Sequence, residues 1–162
     1  MHLSVDELLH YTDDERARWE QWFRDNGEDL LRMPLIGDRE TTMGALILHM
    51  FGPELRCVQR LRGEPLSEYR GLPTGHIDEV FGYGLETRKK MRDFVRKAKP
   101  EDWERMHQFE RGGEHFEASG RKIVLHALIH EVRHWAQVAR VMRERGFAPP
   151  GRHDLLESTA LI

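Results

Sequence analysis

The sequence predicts an all-α protein, a four-helix bundle with a long loop before the last helix, and three observations carry that reading. Four segments place apolar residues three and four positions apart between a capping side chain and a glycine or proline stop. Charged residues make up 33% of the chain against 39% apolar, which suits helices with one apolar stripe wrapped in charge better than sheets buried on both faces. No segment alternates convincingly between apolar and polar residues. At 162 residues there is material for one hydrophobic core, so a single domain over 1–162 is expected.

The first helix opens at Ser4, with Glu7 at capping-box spacing, and carries Leu8, Tyr11, Trp19, Trp22 and Phe23 to a stop at Asn26 and Gly27. Thr12 with Glu15 offers a second, later start. Residues 27–40, with Pro34 and Gly37, read as a connection whose Leu30, Leu31, Met33, Leu35 and Ile36 pack beneath it. Thr41 and Thr42 cap a second helix running through Leu46, His49, Leu55, Val58 and Leu61 to Gly63. Pro53 lies inside it and has no N–H for the carbonyl of His49, so the hydrogen-bond ladder breaks beside that histidine. A third helix begins near Thr74 and ends before Pro100. Residues 100–118 hold Trp103, Gly112-Gly113 and Phe116 without a clear period and read as a long loop with room for a short hairpin. Ser119 caps the last helix, which runs to Arg145 and stops at Gly146, a length of roughly 40 Å.

Charge narrows the partners. The net charge is −3 with neutral histidines, and the 25 basic residues are spread from Arg16 to Arg152, so no nucleic acid or acidic membrane is indicated. The one basic concentration, Arg88 to Lys99, reads as a solvated helix end whose cations complement the dipole. A single cysteine, Cys57, excludes an internal disulfide, and Met1–Glu15 mixes acids among its apolar residues too closely for a signal peptide. A cytoplasmic protein is expected. Trp19, Trp22, Trp103 and Trp135 are candidates for an exposed interface, compatible with a homodimer.

The chain has ten histidines, and their placement matters more than their number. His126, His130 and His134 follow one another at steps of four on the last helix. Each step turns about 40° and rises about 6 Å, so neighbours can share an ion but the outer pair, about 12 Å apart, cannot. The stripe through Ile123, Ala127, His130, Gln137 and Val141 turns the pair His130/His134, rather than His126/His130, toward the bundle centre. The plainer reading is that these are core histidines satisfied by backbone carbonyls. His49, alone in an otherwise apolar stretch of the second helix, is costly to bury without a partner and is the natural third ligand.

These residues are familiar as a set. Leu46-Ile47-Leu48-His49-Met50, together with the run from His126 to Gln137, resembles the DinB-like family of metal-binding four-helix bundles, named after damage-inducible proteins. The stretch from Tyr11 to Trp22, the Arg145-Gly146 helix end and the proline-rich tail before Asp154 extend the likeness over nearly the whole chain. The order Arg133, His134, Trp135, Ala136 departs from the family's usual pattern, and Pro53 is unexpected, but the ligand spacing is intact. The resemblance implies that His49, His130 and His134 form a histidine triad holding one divalent metal, and that His126, Glu131 and Gln137 accompany it.

The same resemblance implies a metal-dependent transferase that uses a small thiol such as bacillithiol, mycothiol or glutathione against an electrophile. Three neutral imidazoles leave a metal its full charge and an exchangeable position, a donor set suited to zinc or nickel. Glu131 or His126 would serve as the base or would orient a ligand. A second reading takes His130-Glu131-Val132-Arg133-His134 as the H-E-x-x-H of a zinc hydrolase, although Gln137 and Arg140 stand where the extended motif has glycine and histidine. A third is a non-catalytic metal-binding or stress-response bundle, since ligands establish binding and not turnover.

Overall fold

The computed structural model describes residues 3–37, 40–152 and 154–160. The chain is mostly helical, with one small antiparallel sheet. Its elements are α1 (Val5–Asn26), a 3₁₀ turn (Glu28–Arg32), α2 (Met43–Arg62), α3 (Ile77–Lys97), α4 (Pro100–Glu104), β1 (Met106–Arg111), β2 (Glu114–Ser119), α5 (Gly120–Glu144) and a second 3₁₀ turn (Leu155–Glu157). No helix among the described residues is long and apolar enough to cross a membrane.

Local chemistry sets the long helices. At α1 the Ser4 side chain accepts from the Glu7 N–H while the Glu7 carboxylate accepts from the Ser4 N–H. The later start at Thr12 is not used: that hydroxyl donates back to the Leu8 carbonyl within a continuous helix. Thr42 caps α2 by accepting from the Ala45 N–H, and Gly63 ends it in the left-handed conformation, φ 68°. Ser119 caps α5 by accepting from the Lys122 N–H. Pro53 is accommodated inside α2, which runs on to Arg62.

Each of α1 and α2 packs against both α3 and α5. Two apolar clusters fill the interior. One gathers Trp19, Phe23, Phe51, Phe81 and Trp135; the other gathers Leu9, Val58, Met91, Val124 and Leu128. Following these clusters along the chain gives the helix directions. α1 and α5 run from the second cluster to the first, and α2 and α3 run from the first to the second. α2 and α3 are therefore parallel neighbours, and residues 63–76 return the chain to its starting end between them. Simple up-and-down winding is ruled out by that order.

Four expectations need correction. In place of a long loop, residues 100–119 form α4 and a hairpin that turns at Gly112-Gly113, with φ 63° and 83°. Trp19, Trp22 and Trp135 are buried core residues, with Trp19 and Trp135 stacked at 5.6 Å, and are not interface side chains. Leu31 is buried as expected, but Ile36 is 90% exposed. Arg88 is not part of a solvated helix end: it is 4% exposed, inside the protein.

Candidate metal centre

α2 and α5 lie side by side, and their facing surfaces bring His49, His130 and His134 together. One ring nitrogen from each of the three lies within 4.8 Å of the others. His130 Nε2 and His134 Nε2 are 3.1 Å apart, as the step of four along α5 allows. The His49 ring stands 5.3 Å from that of His130 and 5.1 Å from that of His134, centroid to centroid.

The outer nitrogens of two rings are held. His134 Nδ1 lies 2.8 Å from Gln137 Oε1, an oxygen that accepts from Nδ1–H and leaves the Nε2 lone pair directed at the cluster. His49 Nδ1 lies 3.2 Å from Glu40 Oε1 and 3.3 Å from the Tyr69 hydroxyl, which does the same for that ring. His130 Nδ1, in contrast, is buried with no hydrogen-bond partner. Burial first, then the neighbouring His134 and His49, push the His130 pKa down to about 3, so the ring is neutral near physiological pH.

The donor set fits a metal ion. Two nitrogens each about 2.1 Å from one tetrahedral ion would stand about 3.4 Å apart, close to the 3.1 Å separation of His130 and His134. Imidazole binds metal in its neutral form, the form His130 holds near physiological pH.

The other residues singled out by the sequence lie elsewhere. Glu131 is 1% exposed, and both its oxygens are occupied. Oε1 accepts from Arg16 Nε at 2.6 Å and Trp135 Nε1 at 3.1 Å; Oε2 accepts from Arg16 Nη2 at 2.7 Å and Arg88 Nη2 at 2.6 Å. Burial alone would raise this carboxyl, but the two arginines outweigh it and hold the group ionised. His126 is exposed, its Nε2 3.3 Å from Arg111 Nη1 and its ring 5.9 Å from that of His130. His107 lies on β1, and His153 falls outside the described residues. Cys57 is buried on α2, its thiol pushed up to about 11 chiefly by that burial.

Two groups of functional relevance were missed in the sequence. Glu40 and Tyr69 come from connections on either side of α2, and no spacing rule links them to His49. The second group is a buried ionic layer in which Arg16 pairs with Glu54 and Glu131, while Arg88 contacts Glu131, Glu54 and Asp13. It did leave a signal. Arg16 continues the stripe Leu9, Thr12, Trp19, Phe23, and Glu54 continues Ile47, Phe51, Val58, Leu61; Arg88 and Glu131 hold the same kind of position on α3 and α5. On α5 the layer lies next to the histidine cluster, Glu131 following His130 in the chain.

A search among curated proteins finds no match. A model of the DinB family matches residues 1–159.

Proposed function

Because the chain belongs to the DinB family, we propose that His49, His130 and His134 hold one divalent ion, zinc or nickel, inside a four-helix bundle of the family's type, and that the protein is an enzyme activating a small thiol for transfer to an electrophile. The observation that carries this reading is the convergence of three imidazole nitrogens within 4.8 Å from two neighbouring helices. When bound, such an ion supplies Lewis acidity that lets a thiol or water in the remaining position lose its proton near neutral pH.

The chain's own groups do the rest. Gln137, Glu40 and Tyr69 fix the tautomer and orientation of two ligands. Glu131 holds α5 in place and has no free lone pair, so it is a positioning residue and not the base. His126 stands at the mouth of the site, and burial followed by Arg111 lowers its pKa, so it is neutral; its Nε2 accepts from Arg111, which must turn away before His126 can take up the thiol proton. The peptidase reading of H-E-x-x-H loses its general base by the same argument, because Glu131 is committed to two arginines.

Cobalt substitution tests the reading. A thiolate-to-cobalt charge-transfer band should grow as a small thiol is added and be missing from His49→Ala. A spectrum indifferent to every small thiol removes the support for thiol chemistry, and a non-catalytic metal-binding role takes its place.

A further inference from the structure

A cleft of about 310 Å³ opens beside the three histidines, with His49, His130 and Tyr69 in its wall. Four arginines also line it: Arg56 and Arg60 from α2, Arg70 from the connection after it, and Arg111 from the end of β1. Arginines elsewhere, such as Arg24, Arg62, Arg92 and Arg140, each pair with an aspartate or glutamate. None of the four cleft arginines makes such a pair among the described residues. The cleft's one acidic side chain, Glu110, faces His115 at 3.4 Å.

The guanidinium groups are also held ready. Arg60 lies 4.7 Å over the Phe109 ring and Arg56 5.7 Å over the Tyr69 ring, so an aromatic covers one face of each planar group. Arg56 Nε and Arg60 Nε are buried without a hydrogen-bond partner. Burial, and the like charges of Arg56 and Arg111, make the Arg60 charge costly to keep. Arginine donors gathered in a cavity whose one carboxylate faces a histidine instead are an arrangement that an oxyanion completes.

We propose that this cleft binds the anionic part of the small molecule handled at the histidines: a carboxylate- or phosphate-bearing compound whose oxygens are taken by Arg56, Arg60 and Arg111. Its volume is at the small end of ligand pockets, which favours a compact metabolite. The link to a thiol rests on the function proposed above; the anion site itself does not.

The test has two arms. Succinate and inorganic phosphate are titrated calorimetrically into zinc-loaded full-length protein, and the anion that binds saturably names the source of the charge. Arg60→Gln and Arg111→Gln should each weaken it about tenfold, the loss expected for one charged hydrogen-bond donor. Arg60→Lys should lose less, Arg140→Gln nothing, and all should keep their zinc and their circular dichroism. Binding of neither anion, or unchanged binding in both glutamine variants, overturns the proposal. In the second arm the cobalt protein should prefer mercaptosuccinate to 2-mercaptoethanol, and Arg60→Gln should erase that preference. If no thiol gives a band while succinate binding still needs the arginines, the thiol reading fails and the anion site stands. If both thiols bind equally in the wild type and no anion binds, the anion site fails and the thiol reading stands.

Discussion

A histidine ring on a packed helix face presents two nitrogens, and what each one meets decides what the residue can do. His134 gives Nδ1 to Gln137 and turns Nε2 inward, whereas His107 on the hairpin has no such convergence. His130→Ala should therefore lower the metal content of untagged protein from near one ion per chain to near none, and His107→Ala should leave it unchanged, by elemental analysis. Full metal in the His130 variant would place the ion elsewhere. Cys57 gives a pH-dependent outcome. Its thiol titrates near 11 in the fold against 9.0 for the free group, so the stability it lends is complete below pH 9 and is lost as pH rises through 11. At pH 8 a thiol reagent should modify Cys57 quickly in urea and slowly in the native protein; equal rates would show the side chain to be accessible. The pairing of His130 with His134 was readable because the step of four is a direct property of helix geometry, whereas His49 rested on its lone place in an apolar stretch and on the family resemblance. Their outer partners were not, since Glu40 and Tyr69 are brought to His49 only by the path of the connections.

At the scale of elements, α2 is where packing and chemistry meet. The backbone at Gly52 lies against the Tyr69 ring so closely that any Cβ would overlap it, and the same ring carries the hydroxyl that reaches His49 Nδ1. Gly52→Ala must displace Tyr69, at a cost of roughly 1–3 kcal/mol for an overpacked site. It should lower both the urea midpoint and the affinity for zinc, and a variant weaker in only one would break the proposed connection. Three long helices were legible from their caps, with Ser4, Thr42, Gly63 and Ser119 acting as their chemistry dictates, whereas α3 begins at Ile77 rather than near Thr74 and has no side-chain cap at its start. The hairpin was legible only as a short one for which the loop had room, not as two defined strands. Its strands are largely exposed, so no apolar face alternates along them, and Gly112-Gly113 was the one local sign of a turn.

Across the whole molecule, Arg16, Glu54, Arg88 and Glu131 form a charged layer, one residue from each long helix, between two apolar clusters. Removing a single member leaves opposite charge buried and unpaired. Glu131→Ala should cost roughly 3–5 kcal/mol by urea denaturation, far beyond the effect of a surface carboxylate. A change below 1 kcal/mol would mean that water reaches the layer. Acid should have a related effect: with the Glu131 carboxyl held below its free value, its contribution is intact above about pH 4.5 and declines as pH falls through the lowered value.

That layer also acts as a register key. Sliding any long helix by one turn along its neighbours would put its charged residue among aromatic or aliphatic side chains and an apolar one among the charges, so a single vertical alignment satisfies all four helices. Replacing the four together with methionine and leucine should keep or raise resistance to urea, because well-packed apolar residues tolerate such a site. The helices would then be free to slip, and the facing turns of α2 and α5 would no longer meet at a fixed height. The expected result is a stable protein with broadened amide resonances and weak zinc binding; sharp resonances with full zinc affinity would show that the apolar clusters alone set the alignment.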